Sequence, residues 1–367
     1  MKVGIVTQPL ELNYGGILQN WALQQALKRM GHDPITIDAY QRFTLPHYIF
    51  SYVRACWHMF KGHRGWYYPQ RYHGSLRRKE TGRFVERYIN KTKVMWDYDR
   101  KVVKRYGMEA IIVGSDQVWR THYNKTNIED KFLKFAEGLP LRRVAYAASF
   151  GVDYWMYTPE QTAACAPLVQ QFDAVSVREA SAVGYCRKYF GVEAKRVLDP
   201  TLLLKAEDYQ DIIDHDWAKG EPYLAVYCLD ISPEKRAFFN RLAEERGLCV
   251  RYFTAGINAE LTIEQWLAMF CHATMLVTDS FHGTVFSILF GKEFFTLGNP
   301  HRGNARIEGL LGLLGLEGRL LSDKEPDESG AADINWSEVY ARLDEERQQS
   351  LDFLSSSLAP DFKKNNQ

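Results

Sequence analysis

One short turn in the C-terminal third of the chain concentrates polar side chains that could do chemistry. Asp279, Ser280, His282 and Thr284 lie between an apolar run and a strongly apolar helical stretch. Helix capping by Asp279 or Ser280 is one explanation. The other is an anion-binding catalytic turn, because a helix N-terminus favours negative charge and a histidine beside a bound phosphate can donate or accept a proton. We predict that the helix begins near Thr284 and that His282 lies just before it.

A second polar turn separates the first predicted strand from the first predicted helix. Asn13, Tyr14, Gly15 and Gly16 form it. The two glycines allow backbone N–H groups to approach a ligand, and the start of the helix favours an anion. A plain tight turn is the alternative. The pattern is neither GxGxxG nor a P-loop, so it does not indicate nucleotide binding.

Polar residues also follow three further predicted strands. Ser115 and Asp116 follow one strand, Arg178 follows another, and Asp199 closes a third. Ligands of parallel α/β sheets bind at these carboxyl ends, where an arginine can clamp a carboxylate or phosphate and an aspartate can bond a sugar hydroxyl. Structural alternatives exist for each: helix capping for the serine and the aspartates, and a local ion pair with Glu179 or another acid for Arg178.

The elements that must position these turns follow from hydrophobic periodicity. In the first half we predict strands over residues 2–7, 35–38, 110–113, 144–148, 174–177 and 196–198, and helices over 17–30, 159–171 and 181–189. In the second half we predict strands over 223–229, 249–253, 275–278 and 293–297, and helices over 233–246, 263–270 and 284–290. This alternation indicates right-handed βαβ units and a parallel sheet in each half, so the predicted fold class is α/β, with two open domains facing across a cleft.

The domain boundaries follow from the same two series. We predict an N-terminal domain over 1–210 that carries a basic, aromatic, helical insertion at about 41–106. A C-terminal domain spans 211–335, and residues 336–367 form a final helix and a polar tail. The helix is expected to pack back across the boundary.

Charge is spread unevenly along the chain. The net charge is +1, but residues 41–106 carry sixteen Lys and Arg against four acids, which makes this segment +12 and the remainder −11. Aromatic residues are interleaved with these cations, a composition that suits an anionic membrane leaflet, a lipid-linked pyrophosphate or a nucleic acid. A solvated helical excursion whose aromatics pack onto the domain is the alternative.

Other features of the sequence exclude several classes. No run of eighteen apolar residues is present, so no membrane-spanning helix is expected, and the N-terminus is typical of a first strand rather than a signal peptide. The six cysteines include no CxxC pair, which favours reduced thiols in a cytosolic protein. Asp97-Tyr98-Asp99 and Asp214-His215-Asp216 mimic a metal-binding DxD pattern, but neither follows a clear core strand. We therefore predict no metal site.

Taken together, the turns resemble the polysaccharide pyruvyl transferase family. The matching segments, in the family's order, are NYGGILQNWALQQALKRMGH at 13–32, VGSDQVW at 113–119, YAASFG at 146–151, SVRE at 176–179, LDPTLLL at 198–204 and TDSFHGTVFSILFGKEF at 278–294. Each segment is weak alone, whereas the ordered set is fairly specific. The resemblance implies two Rossmann-like domains, as in glycosyltransferases of the B architecture, in a cytosolic enzyme.

The resemblance also implies a reaction. Pyruvate would move from phosphoenolpyruvate to two hydroxyls of one sugar and form a ketal, with no nucleotide cofactor or essential metal. Arg178 matches an arginine that grips phosphoenolpyruvate, and His282 matches the histidine beside the reacting centre, to which we assign proton donation. The start of the adjacent helix would steady the leaving phosphate.

The chain departs from the family pattern at one position. Many relatives have Arg-Leu-His-Gly where this chain has Ser280-Phe281-His282-Gly283, so a second donor-gripping arginine is missing. Ser280 offers a hydrogen bond without a charge. Arg302 or Arg306 could supply the charge, and we favour Arg306 because the apolar residues that follow it would anchor it at a helix start.

The resemblance also implies a role for the basic segment at 41–106. Bacterial capsule and exopolysaccharide units are often built on an isoprenoid pyrophosphate at the inner leaflet, which residues 41–106 could contact or bind. Two rival functions stay open: a nucleotide-sugar glycosyltransferase of the same architecture, and a non-catalytic carbohydrate-binding relative. A nucleic-acid partner is not expected, because the charge is local and no nucleic-acid motif accompanies it.

Overall fold

The computed structural model describes residues 1–40, 79–124, 128–256, 260–299 and 304–359, together with five residues between 41 and 78. The described strands are β1 Lys2–Val6, β2 Asp33–Thr36, β3 Ala39–Tyr40, β4 Met95–Trp96, β5 Ala110–Val113, β6 Arg142–Ala148, β7 Ala174–Val177, β8 Lys195–Arg196, β9 Tyr223–Tyr227, β10 Cys249–Tyr252, β11 Met275–Thr278, β12 Glu293–Leu297 and β13 Leu320–Leu321.

The α-helices of the described part are α1 Tyr14–Arg29, α2 Lys79–Tyr88, α3 Lys101–Tyr106, α4 Pro159–Val169, α5 Ala180–Tyr185, α6 Pro233–Glu245, α7 Ile263–Cys271, α8 Phe281–Leu289, α9 Ala305–Leu314 and α10 Trp336–Leu358. A π-helical turn, Cys186–Phe190, continues α5. Short 3₁₀ helices are Ile128–Phe132, Lys134–Ala136, Pro200–Leu203, Ala206–Ile212 and Glu317–Arg319.

The first half forms a parallel six-stranded sheet in the order β2-β1-β5-β6-β7-β8. Its central strands are short apolar runs, of which β5 (AIIV) is completely buried, as expected for a sheet covered on both faces. The strand order reverses between β1 and β5. The crevice at such a switch point is where open α/β sheets bind ligands, and here it receives the turns that contain Asn13 and Asp116.

The second half repeats this architecture with a parallel five-stranded sheet in the order β10-β9-β11-β12-β13. Its strand order reverses between β9 and β11. The turns that follow these strands contain Asp230 and Ser280, respectively. The predicted α/β class with two Rossmann-like domains facing a cleft is therefore confirmed.

The two halves share a buried core. Tyr14 at the start of α1 donates a hydrogen bond to the carbonyl of Leu261 (2.5 Å) and packs edge-on against Trp266 of α7. The last helix, α10, returns to the first half, where Leu354 is fully buried beside strands of the first sheet. Arg142 of β6 donates hydrogen bonds to the carbonyl groups of Ser357 and Ala359 at the C-terminal end of α10. These contacts connect the two halves of the chain.

About half of the basic insertion lies within the described residues. Its described parts include α2, β4 and α3, and β4 pairs in parallel with β3, which directly precedes the insertion. Between 41 and 78 the structure describes Ile49, Tyr52, Val53, Cys56 and Trp57, all of which are helical and exposed. No helix in the described part of the chain is both long enough and apolar enough to cross a membrane.

Candidate active site

A cleft of about 590 Å³ lies between the two switch points. The first half contributes Asn13, Asp116 and Arg120 to its wall, and the second half contributes Ser280, Phe281, His282 and Arg306. The turns predicted to carry chemistry at 13–16, 115–116 and 279–282 therefore meet at one place, although they are far apart in the chain.

The turn after β11 differs from its predictions in two respects: where the helix begins and whether a side chain caps it. Helix α8 begins at Phe281 rather than near Thr284, so His282 lies inside its first turn. Ser280 occupies the N-cap position, but its side chain makes no capping hydrogen bond. Asp279 does not cap the helix either, because its carboxylate accepts hydrogen bonds from the backbone N–H groups of Leu229 (2.7 Å) and Asp230 (3.1 Å). The N–H groups at the start of α8 are therefore left without a capping side chain.

Gly15 makes room for the histidine. A Cβ atom at Gly15 would lie 2.1 Å from Nδ1 and 2.3 Å from Cγ of His282, which is closer than any real contact. Only a glycine at this position lets the start of α1 pack against the imidazole ring. The Asn-Tyr-Gly-Gly turn thus packs against His282 through Gly15, and ligand binding by its glycines stays a prediction.

His282 faces a buried carboxylate from the other half. Its Nε2 atom lies 3.8 Å from Oδ2 of Asp199, longer than a hydrogen bond but close enough for attraction between charges. The same carboxylate accepts hydrogen bonds from Arg178 Nη1 (2.7 Å), Ser115 Oγ (3.2 Å) and the Thr201 backbone N–H (3.0 Å). The last of these contacts confirms the capping role considered for Asp199. Asp199 therefore holds Arg178 and opposes His282 with one negative charge.

These contacts set the ionisation of Asp199. Burial acts to raise its pKa, but the facing His282, the Arg178 guanidinium and the Thr201 hydrogen bond outweigh burial and hold the pKa below the ordinary value. Arg178 is equally buried and its pKa is raised: burial acts to lower it, and Asp199, Glu179 and Asp116 outweigh that effect. Both groups are consequently charged at neutral pH.

This arrangement predicts a pH dependence of stability. A carboxylate whose pKa is depressed by folding stabilises the protein above its unfolded pKa of about 3.9, and the stabilisation is lost as the pH falls through the lower folded value. We expect Asp199→Asn to unfold more easily at neutral pH, by about 3–5 kcal/mol, since it leaves Arg178 buried without its partner. Urea unfolding from pH 6 down to pH 2.5 should show a shallower loss of stability in Asp199→Asn than in the wild type. Identical pH dependence in the two proteins would contradict this account.

A second pair of contacts brings two arginines to one aromatic ring. The Cζ atom of Arg178 lies 4.5 Å from the centroid of the Phe281 ring, and the Cζ atom of Arg306 lies 5.8 Å from the same centroid. Burial, followed by the charge of Arg178, lowers the pKa of Arg306 to about 10, so Arg306 stays charged at neutral pH. The structure therefore places Arg306, the residue favoured to replace the missing arginine, next to Ser280 and Arg178.

Arg120 is a cleft residue that the sequence reasoning missed. It directly follows the VGSDQVW segment, and that adjacency was the available signal. Its Nη1 donates a hydrogen bond to Gln117 Oε1 (2.5 Å), and its guanidinium lies 5.1 Å from the Tyr123 ring centroid. Its charge acts on Arg306, which lies on the opposite half. Two cations from different domains thus face the same space.

The remaining predicted site residues divide into two groups. Asn13, Asp116, Ser280, His282 and Arg306 line the cleft. The other described ones do not line it: Tyr14, Gly15, Gly16, Ser115, Arg178 and Asp199. Tyr14 joins the two halves through its hydrogen bond to Leu261, and its contact with a ligand stays a prediction. Asn13 caps α1, since its Oδ1 accepts a hydrogen bond from the Gly16 N–H (3.1 Å). Arg302 lies outside the described residues.

The guanidinium group of Arg178 has two nitrogen atoms that make no hydrogen bond to the described residues. Nε and Nη2 are buried without a hydrogen-bond partner, and the nearest carboxylate oxygens are 3.7 Å (Glu179) and 3.9 Å (Asp116) away. Buried polar nitrogens without partners are uncommon in folded proteins. Contact of Arg178 with the donor stays a prediction, because its side chain lies behind Phe281 rather than on the cleft wall.

The wall that the second half contributes also contains hydrogen-bonding oxygens and amides. Asn299 donates to Oδ2 of Asp230 (2.9 Å) and to Oδ2 of Asp279 (3.3 Å), and its backbone N–H donates to Oδ1 of Asn304 (2.7 Å). Burial raises the pKa of Asp279, against the opposing effect of its two backbone donors. Asp230, Asp279, Asn299 and Asn304 therefore offer the cleft a group of polar side chains that are hydrogen-bonded to one another.

Two solved structures that share this architecture are described as UDP-N-acetylglucosamine 2-epimerases, one of them putatively. A putative UDP-N-acetylglucosamine 2-epimerase from Listeria monocytogenes is 9% identical, with a TM-score of 0.53, and the match covers 96% of this chain and 90% of that chain. The UDP-GlcNAc 2-epimerase from Methanocaldococcus jannaschii is 12% identical, with a TM-score of 0.51, and the match covers 94% of this chain and 92% of that chain. At these identities the likeness shows the fold alone. No curated protein matches the chain in sequence.

A family model describes most of the chain. The model for polysaccharide pyruvyl transferase matches residues 13–301, which include every cleft residue named above except Arg306 and Asn304. This match covers well over half of the chain. The protein therefore belongs to the polysaccharide pyruvyl transferase family.

Proposed function

We propose that this protein transfers pyruvate from phosphoenolpyruvate onto two hydroxyls of one sugar, forming a cyclic ketal in capsular or exopolysaccharide biosynthesis. Family membership supports polysaccharide pyruvylation in general. The finer proposal rests on one observation: His282, at the uncapped start of α8 and facing the Asp199 carboxylate, lines the same cleft as Arg306 and Arg120.

The proposed chemistry needs one proton-transfer group and a cationic wall. A proton is added to C3 of the enol, and a sugar hydroxyl adds to C2. The C2–O bond to phosphate breaks, and the second hydroxyl closes the ring at C2. The two hydroxyls lose two protons in total: one balances the proton gained at C3 and the other leaves on the phosphate. His282 is the group in the cleft suited to deliver and recover these protons, since Asp199 lies behind it.

The donor would bind where the positive charges converge. Phosphoenolpyruvate carries a carboxylate and a phosphate, and guanidinium groups bind both in bidentate fashion. Arg306 and Arg120 reach the cleft from opposite halves, and the α8 N–H groups favour an anion between them. The sugar acceptor would then lie against the polar side formed by Asp230, Asn299 and Asn304, where its hydroxyls find acceptors and donors.

Arg306 provides a direct test of donor binding. We expect Arg306→Ala to weaken phosphoenolpyruvate binding by roughly tenfold or more, since a hydrogen bond to a charged group contributes about 1.5–3 kcal/mol. The measurement is thermal unfolding with and without phosphoenolpyruvate, beside UDP and UDP-sugars, because a ligand of the folded state raises the melting temperature. Arg187→Ala is the control, as this exposed arginine pairs with Glu193 away from the cleft.

The outcomes separate the rival functions. A shift with phosphoenolpyruvate that Arg306→Ala loses and Arg187→Ala keeps supports the proposal. Undiminished phosphoenolpyruvate affinity in Arg306→Ala would refute the role of this residue. A shift with UDP or a UDP-sugar alone would mean that the cleft serves a nucleotide-sugar, and that the donor named here is wrong.

We also propose that the basic insertion contacts an anionic membrane, where a lipid-pyrophosphate-linked acceptor would be presented. Ile49, Val53 and Trp57 are 58%, 64% and 53% exposed and are spaced at four residues, so they share one helical face. Tyr52 and Cys56 extend the same exposed face. An apolar face within a segment of charge +12 fits a negatively charged leaflet.

The membrane contact predicts binding that depends on these side chains. The full-length protein should co-sediment with vesicles containing phosphatidylserine at low salt and release at high salt, since the attraction is screened. Trp57→Ala should weaken this binding. Trp217→Ala is the matched control, because Trp217 is an exposed tryptophan (41%) in the other half. Failure to bind at low salt, or equal loss in both variants, would rule out the contact.

A further inference from the structure

Three side chains outside the cleft bring together the ligand atoms of a transition-metal site. One atom each from His215, Cys271 and His272 lies within 4.8 Å of the other two. Within the described ranges, no other group of three or more His, Cys, Asp or Glu side chains is so placed. None of the three residues lines the cleft.

Two separate segments supply these ligands. His215 follows the 3₁₀ helix Ala206–Ile212, in the segment that leads from the first half to β9. Cys271 is the last residue of α7, and His272 is its C-cap. The carbonyl groups at the end of a helix carry partial negative charge, which favours a cation at this position.

Hydrogen bonding leaves both histidines able to bind a cation. Nε2 of His215 lies 3.1 Å from the carbonyl oxygen of Gln210, a contact that places the ring proton on Nε2 and leaves the lone pair on Nδ1. Metal-binding histidines generally donate their other N–H in this way. Nε2 of His272 is buried without a hydrogen-bond partner, although the two rings meet edge to face with centroids 5.6 Å apart. A bound cation would give this nitrogen the partner it lacks.

We propose that His215, Cys271 and His272 bind one zinc ion, or a divalent cation with the same ligand preferences, with water in the fourth position. Imidazole nitrogen and thiolate sulfur are the ligands that zinc prefers. Bonds of about 2.0–2.3 Å in a tetrahedral site put the ligand atoms roughly 3.3–3.6 Å apart, so side-chain rotations that close the triangle by about 1 Å complete the site. Binding releases the thiol proton of Cys271.

Two lysines set the charge balance of the site. Lys219 and Lys292 both lie close enough to act on the charge of His272. Lys219 is paired with Asp216 (2.8 Å), whereas Lys292 is half-buried near Cys271. The Cys271 thiolate offsets one positive charge of the ion, whereas the nearby Lys292 ammonium group repels the ion. Removal of the Lys292 charge should therefore tighten binding.

The ion would tie the segment that joins the halves to the end of α7. The same helix carries Trp266, which packs against Tyr14, the neighbour of Gly15. Metal binding should therefore stabilise the domain contact beside His282. The proposed metal site does not depend on which donor the cleft binds, and metal binding can be measured without an activity assay.

The probe is cobalt, because Co²⁺ bound by a thiolate gives a charge-transfer band and intense visible bands when it is four-coordinate. The full-length, tag-free protein is treated with chelator and titrated with Co²⁺, then with Zn²⁺ to displace it. We expect one equivalent to bind and the melting temperature to rise. Cys271→Ser should abolish the charge-transfer band, and His272→Gln should weaken binding by more than the roughly 10- to 100-fold that loss of a second-shell contact costs.

Two further variants complete the design. Cys56→Ser removes an exposed thiol elsewhere in the chain and should leave the spectrum unchanged. Lys292→Gln should raise the affinity. The absence of a charge-transfer band in the folded wild type, or its persistence in Cys271→Ser, would overturn the proposal.

Discussion

Replacement of His282 by glutamine is expected to lower pyruvyl transfer by about 10²- to 10⁴-fold, the usual contribution of a general acid or base. Glutamine keeps a similar size and can hydrogen-bond, but it cannot carry a proton between enol, hydroxyl and phosphate. The imidazole lies 3.8 Å from Asp199 at the start of a helix, so its removal affects proton transfer more than donor binding. The measurement is phosphate release from phosphoenolpyruvate, with lipid-linked and nucleotide-linked sugars offered as acceptors.

The control is another histidine of the same cleft. His122 lines the wall but is not a described contact of Asp199, so His122→Gln should retain activity within a few-fold. In His282→Gln the fall should appear in kcat while phosphoenolpyruvate still raises the melting temperature. If His282→Gln turns over at the wild-type rate, His282 is not the proton donor. If instead both variants fail equally, the loss reflects the shape of the cleft rather than proton transfer.

Replacement of Gly15 by alanine is expected to have the second large effect. The new methyl group would lie 2.1 Å from Nδ1 of His282, so either the ring or the start of α1 must move. Overpacking of this kind costs about 1–3 kcal/mol of stability. We expect that loss in the free energy of unfolding, together with a fall in turnover of the same order as that of His282→Gln, because the imidazole leaves Asp199. Urea unfolding and phosphate release measure the two effects.

Two comparisons separate the clash from a general effect of added methyl groups. Gly184→Ala is the matched control, since a Cβ at this helical position has no atom within 4 Å and should be neutral or stabilising by up to about 1 kcal/mol. In Gly15→Ala combined with His282→Ala, the ring is gone and most of the lost stability should return. Failure of the double variant to recover stability would place the strain elsewhere.

The course of the α8 turn could not be predicted from local pattern. The strongly apolar stretch after Gly283 predicts a helix start near Thr284. In the folded chain a Cβ at Gly283 would lie 2.1 Å from Thr278 Oγ1, so glycine is required for the first turn to pack onto β11. The position of His282 inside the helix is thus a consequence of packing between helix and strand.

The positions of the cleft side chains likewise could not be predicted from local pattern alone. Residue type and spacing led to Arg306 as the replacement for the missing arginine, and its closeness to Phe281 agrees with that choice. Nothing in the local pattern indicated that Arg120 would act on Arg306 or that Tyr14 would hydrogen-bond Leu261. Each of these contacts joins residues from different halves of the chain, whose proximity depends on how the sheets face each other.

The sequence by itself determined the strands of the two large sheets except β13, most of the helices that cover them, and the turns where chemistry could lie. It did so because apolar periodicity and the position of polar residues at strand ends are local properties. It also carried enough of the ordered family segments to identify the family. Only the tertiary structure decided which polar side chains reach the cleft and which support it from behind. Asp199 and Arg178 are buried partners of each other and Gly15 is the seat of His282, because burial and charge pairing arise only when distant segments pack together.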